Sequence, residues 1–252
     1  MNKIICITGA TSGFGEASAH KFSANGYDII ATGRRKSKLD QLKKTTEEKF
    51  GNKVLAVSMD VQNKSVVFEA FSNLPDEWKK IDVLLNNAGL ALGRDSFDQG
   101  SLDDWDTMID TNVKGLLYVS KAVLPFMIPN KKGHIINIGS IAGKQVYQKG
   151  NVYCASKHAV QAISQGMRID LLPHHIKVTA IHPGAADTEF SLVRLNQNSD
   201  EAEKVYQGYE PLHAEDIADA VFYTASLPAH VCINELEITC LAQANAFYLL
   251  KD

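Results

Sequence analysis

An apolar run, Ile4-Ile5-Cys6-Ile7, passes through Thr8 directly into Gly9-Ala10-Thr11-Ser12-Gly13-Phe14-Gly15, and an amphipathic stretch follows at once. No other junction constrains the fold of this chain as strongly. A short, near-continuous apolar run bounded by a glycine turn reads as a strand buried on both faces, and such strands belong to parallel sheets covered by helices. The alternation recurs along the chain. Expected strands are 4–8, 28–32, 54–58, 83–86, 134–138, 178–181 and 236–239; expected helices are 13–25, 37–50, 64–73, 102–127, 152–172 and 214–226. Right-handed crossovers then give an α/β fold, a doubly wound seven-stranded parallel sheet with helices on both faces. Its ligands lie beyond the carboxyl ends of the strands. A length of 252 residues suits one such domain, 1–252, and no linker, repeat or low-complexity tract divides it. The stretch 185–209 is more polar and less regular than its surroundings, which suggests a substrate lid or an ordinary surface excursion.

The glycine turn carries a chemical expectation. Glycines let the backbone approach a pyrophosphate closely, and the N-terminus of the next helix offers unpaired N–H groups to the charge. The spacing is Gly-x-x-x-Gly-x-Gly, in the strand-to-helix context that dinucleotide binding requires. Gly9, Thr11, Ser12, Gly13, Phe14 and Gly15 are therefore candidate cofactor residues. The second strand ends in Thr32-Gly33-Arg34-Arg35, with no carboxylate for a free ribose hydroxyl. A guanidinium matches a phosphate, so Arg34 and Arg35 point to NADP, with Arg34 favoured because it lies nearer the strand end.

Tyr153 and Lys157 are one helical turn apart on a shared face, with Ser140 upstream. A phenol titrates near pH ~10, and a neighbouring ammonium favours its ionised form. Tyr153 is thus expected to exchange a proton while Ser140 polarises a carbonyl.

Composition narrows the classes further. The net charge is −3, with cations scattered among acids and no basic stripe for nucleic acid. The most apolar later stretch, 115–128, carries Lys121 and Pro125 and is too short to span a bilayer. Cys6, Cys154, Cys232 and Cys240 are widely separated, without metal-ligand spacing, and read as reduced residues. The expectation is a cytoplasmic protein with no membrane, nucleic-acid or metal partner.

Taken in order, the glycine turn, Asp60-Val61, Asn86-Asn87-Ala88-Gly89, Asn112, Ser140, Tyr153, Lys157 and Pro183-Gly184 resemble the short-chain dehydrogenase/reductase family over nearly the whole chain. The resemblance implies a Rossmann-like fold, hydride transfer with a nicotinamide, and a homotetramer. It implies that Asp60 bonds the adenine amino group beside Val61. Asn87, Ala88 and Gly89 would line the nicotinamide ribose. Lys157 would hold that ribose and tune Tyr153, with Asn112 anchoring a relay water. Pro183, Gly184, Ala186 and Thr188 would lie at the nicotinamide.

Within the family the chain is similar to NADP-dependent 3-hydroxy acid dehydrogenases that oxidise serine and allo-threonine. The shared stretches include residues 31–35, 86–93, 108–112, 133–140, 150–153 and 188–191. The implied substrate is a small hydroxy acid, or the matching 3-oxo acid or semialdehyde, bound by Ser140, Tyr153 and a carboxylate partner. Arg194 is the first candidate for that partner, with Gln148 or Lys149 as others. His182 departs from the subgroup's pattern and is expected either to pack through a hydrogen bond or to add pH sensitivity. Two other readings stay open, a carbonyl or 3-oxoacyl thioester reductase and a non-catalytic NADP-binding regulator.

Overall fold

The computed structural model describes residues 2–194 and 205–251, with backbone only at 191–193. Its seven strands are β1 (Lys3–Thr8), β2 (Tyr27–Gly33), β3 (Val54–Ser58), β4 (Ile81–Asn86), β5 (Gly133–Ile138), β6 (Ile176–Pro183) and β7 (Glu235–Ile238). They form one sheet in the order β3-β2-β1-β4-β5-β6-β7, and every neighbouring pair is parallel. All seven expected strands are present, β3 with the expected ends and the others with ends shifted by at most two residues.

The continuous apolar character of β1 follows from its place at the centre. Ile5 and Ile7 pack into one core layer, Ile4 and Cys6 into the other, as the two-residue period of a strand requires. The first layer is closed by α1 (Gly13–Ala24), α2 (Lys36–Phe50) and a later helix at Ala214–Ser226. The second is closed by α3 (Lys64–Ser72), α5 (Leu116–Met127) and the end of α6 (Asn151–Asp170). Short helices α4 (Leu102–Ile109) and α7 (Glu189–Arg194) lie toward the carboxyl edge, and Ala214–Ser226 is α8.

Phe22 anchors the first layer. It is fully buried and meets Tyr27 and Phe222 edge-on, with ring centres 5.0 and 5.2 Å away. Phe22→Ala removes a large side chain and both edge-to-face contacts, so an unfolding titration is expected to show a loss of about 4 kcal/mol.

The expected single helix over 102–127 is broken. Asp110–Gly115 winds as a π-helix between α4 and α5. A π turn carries an extra residue per turn, and here it brings Thr111 and Asn112 inward together. The side chain of Asn112 accepts from Leu90 N at 2.8 Å and donates to Leu90 O at 2.8 Å and Ser156 Oγ at 3.0 Å. Hydrophobic periodicity carries no signal for this long-range clamp.

Candidate active site

A cavity of about 700 Å³ opens beyond the carboxyl ends of the central strands, where the sheet changes winding direction between β1 and β4. At its floor, β1 turns through Gly9 with φ +65°. A Cβ there would lie 3.0 Å from Asn87 Nδ2 and 3.1 Å from Ala88 Cα, so only glycine permits the close approach. Asn87 Nδ2 donates to Thr8 O (2.9 Å) and Gly9 O (3.1 Å), while Thr8 Oγ1 accepts from the backbone of Asn87 and Ala88. Gly15 packs α1 onto this staple, since a Cβ would lie 2.7 Å from Asn87 Nδ2, and it does not reach the cavity wall. Ser12 precedes α1 without a side-chain cap bond. The first N–H groups of that helix therefore lack a capping oxygen, as an anion site requires.

At the other end of the cavity the two arginines have different fates. Arg35 is tied to Thr11, Ser12 and Glu189, with Nη1 to Glu189 Oε2 at 2.8 Å. Arg34 lines the cavity, is exposed, and makes no hydrogen bond or ion pair with any described residue. Asp60 accepts from Gln62 N through one oxygen and lies in the wall beside Val61.

The third region holds Ser140, Tyr153 and Lys157, all buried and all facing the cavity. Ser140 Oγ accepts from Ala142 N at 3.1 Å, donates to Pro183 O at 3.5 Å, and favours the ionised form of the Tyr153 phenol. Lys157 Nζ donates to Ile138 O at 3.0 Å and lies 5.9 Å from the Tyr153 ring centre. One of its three N–H donors is used. Burial lowers the Lys157 ammonium to about 8. The expected lowering of Tyr153 is not what this site shows. Burial pushes the phenol up, and Ser140 and Arg194, rather than Lys157, pull against that rise.

The Asn112 amide bonds Leu90 and Ser156 and is not among the residues lining the cavity, so its side chain braces the wall from behind. His182 is fully buried behind Ser140, with Nδ1 3.2 Å from Ser140 O. A carbonyl only accepts, so Nδ1 carries the proton, and burial lowers the ring's pKa. It packs through a hydrogen bond, in line with the first of its two readings.

The lid is described over 185–194 and 205–209, and 195–204 lie outside the described residues. Pro183, Gly184, Ala186 and Thr188 line the cavity, and Thr188 Cβ would lie 3.3 Å from a Cβ on Gly13. Glu189 bonds Arg35 and also Lys38 at 2.6 Å. Burial opposes its charge, but these cations outweigh it and hold the carboxyl down at about 2. Arg194 stacks 5.5 Å from the Tyr153 ring centre, and its Nη1 donates to Tyr147 Oη at 3.0 Å. Lys149 faces a separate cavity and Gln148 lines neither, so Tyr147 takes the wall position expected of them. Tyr147, Arg94, Glu189 and Gln243 were not legible as site residues. For Glu189 the usable signal was an acid directly after Thr188; for Arg94, a cation just beyond the 86–93 stretch. Among the described residues no cluster of three or more His, Cys, Asp or Glu is placed to hold a metal, and no helix is long and apolar enough to cross a membrane.

A family model described as short chain dehydrogenase matches residues 3–199. The chain is 47% identical over 244 residues to the NADP-dependent 3-hydroxy acid dehydrogenase of Salmonella typhi, covering 96% of this chain and 97% of that one. It is 42% identical over 246 residues to the serine 3-dehydrogenase of Rhizobium radiobacter, covering 98% and 97%. A solved closed form of serine dehydrogenase complexed with NADP+ superposes with a TM-score of 0.93 at 44% identity, covering 99% of each chain.

Proposed function

The chain belongs to the short-chain dehydrogenase family, and from that premise we propose that it is an NADP-dependent oxidoreductase of small 3-hydroxy acids. The observation that carries this reading is the single cavity that begins at the Gly9 turn, passes an unpartnered Arg34 and ends on Ser140, Tyr153 and Lys157. The similarity to 3-hydroxy acid and serine dehydrogenases supports the substrate class. The cavity suits NADP: the turn leaves no Cβ in the way of a pyrophosphate, and Arg34 is free to meet the 2′-phosphate.

When bound, the nicotinamide supplies the hydride acceptor or donor. The residues of this chain do the rest. Tyr153 takes or returns the proton at the substrate oxygen, and Ser140 Oγ, held by Ala142 N, bonds that oxygen. Lys157 keeps two N–H donors for the cofactor ribose and the phenol. Arg194 holds the carboxylate, and its stacking on Tyr147 and Tyr153 fixes that end of the substrate against the phenol.

Two further features belong to this proposal. A homotetramer is supported by apolar side chains left open on helix faces and at the chain's end, including Ile169 (74% exposed), Leu117 and Phe247. Sizing by sedimentation tests it. A cytoplasmic setting is supported by four cysteines without a disulfide among them.

The reading is tested with a panel of 3-hydroxy acids, 3-oxo acids and acyl thioesters against NADP and NAD. Turnover of hydroxy acids with NADP is expected, and a protein that turns over none of them would overturn it. In the same assay Arg34→Ala is expected to raise KM for NADP by roughly 10- to 100-fold, the value of a charge-assisted phosphate contact, and to leave KM for NAD unchanged.

A further inference from the structure

We infer that Arg94 is a specificity-determining residue, which together with Arg194 biases the site toward 3-hydroxy acids lacking an ammonium group on the carbon beside the carboxylate. The inference deepens the proposed function and rests on it.

The cavity wall around Tyr153 is strongly cationic. Arg194 lies over the Tyr153 and Tyr147 rings, and Arg94 lines the same cavity from the loop after β4. Both guanidinium groups act electrostatically on one hydroxyl, that of Tyr147, and both favour its ionised form. Lys157 adds a third cation beneath. Neither arginine has a carboxylate within 4 Å among the described residues, and Arg194 Nε is buried without a partner there.

The acids of the cavity are elsewhere. Among the described lining residues they are Asp60 and Glu189. Asp60 stands beside Val61, and Glu189 is held between Arg35 and Lys38. Asp95 and Asp104 line a small adjoining cavity that shares Tyr153 and Arg194 with the main one, and its volume of about 10 Å³ holds no more than one water and admits no substrate group. A substrate ammonium in the main cavity would therefore meet the Arg194 guanidinium and that of the exposed Arg94, neither of them in an ion pair with a described residue, and the acids described in that cavity's own lining are Asp60 and the paired Glu189. Desolvation on binding strengthens that repulsion. A carboxylate gains from the same field, since each guanidinium is a planar fork of donors. The site attracts one end of serine and repels the group next to it.

The experiment compares two matched pairs with NADP: 3-hydroxypropionate against serine, and 3-hydroxybutyrate against allo-threonine. Each pair differs only by the amine. In the intact protein kcat/KM is expected to favour the amine-free member by on the order of 10- to 100-fold. Arg94→Ala is expected to shrink that ratio by raising KM for the hydroxy acid more than for the amino acid, and Arg94→Lys is expected to restore it. Equal turnover within the pairs, or an Arg94→Ala variant that leaves the ratio unchanged, would overturn the inference. Calorimetric binding of the same four acids to the NADP-loaded protein separates the two readings. Absence of turnover with all four would sink the proposed reaction, whereas the binding ratio and its response to Arg94→Ala still decide the role of Arg94.

Discussion

Tyr153→Phe is expected to lower kcat by about 10³-fold, within the range of general acid–base catalysis, while Kd for NADPH and the folded structure are unchanged. The substitution removes one oxygen and leaves the ring in place. That ring packs in a small core with Leu90, Met108, Ala142 and Cys154, and lies 5.7 Å from Phe190. None of those contacts depends on the hydroxyl. The hydroxyl is the group that burial raises and that Ser140 and Arg194 lower. A phenol with a raised pKa holds its proton at rest, so it serves reduction as an acid without prior change. Oxidation needs the ionised form, whose fraction grows with pH. Oxidation is therefore expected to speed up as pH rises from neutrality and reduction to slow, and Tyr153→Phe is expected to flatten both profiles. Steady-state rates across pH, with a fluorescence titration of NADPH, provide the check. A variant retaining most of its turnover would remove Tyr153 from the chemistry.

Lys157→Met is expected to abolish turnover and at the same time to make the cofactor-free protein more stable. The ammonium is buried, and burial brings it down from its ordinary range to about 8. The sign follows from proton binding. Between about 8 and the unfolded value near ~10.4, the unfolded chain holds the proton more tightly than the folded one. Stability therefore rises with pH across that window and carries the full cost of the buried charge below it. A thioether of similar length avoids that cost but leaves Ile138 O without its 3.0 Å partner. The net gain expected near neutrality is about 2 kcal/mol, or roughly 5 °C in Tm for a chain of this size. Thermal unfolding of the two proteins without cofactor, at pH 7 and pH 10, tests both size and sign. The gap is expected to narrow at the higher pH. A destabilised variant would mean that the bond to Ile138 outweighs the desolvation of the charge.

The fold was legible because burial has a local period. Ile4 to Ile7 is apolar at every position since the two faces of β1 meet two core layers, and that pattern reads without knowing what the layers contain. The glycine turn was legible for a related reason: a positive φ and a missing Cβ are properties of the residue itself. The break between α4 and α5 was not legible. Its residues, Asp110 to Gly115, include no proline and one apolar side chain, Val113, and the Asn112 side chain there bonds Leu90 and Ser156, partners 22 and 44 residues away.

In the site, the residue types were readable and their partners were not. Two adjacent arginines were visible in the sequence, but only the fold pairs Arg35 with Glu189, far along the chain, and leaves Arg34 without a described partner. Tyr147 lines the wall where Gln148 or Lys149 was expected; the backbone at Lys149 turns to φ +61°, and Lys149 lines the neighbouring cavity. The amino-acid sequence alone thus determined the strands, the glycine turn and the placing of Tyr153 and Lys157 on one helix face, all of which are written in patterns a few residues long. Tertiary structure decided which charges stay uncompensated and which are neutralised. A charge finds its counterpart through space, and the distance that sets their energy has no image in the spacing along the chain.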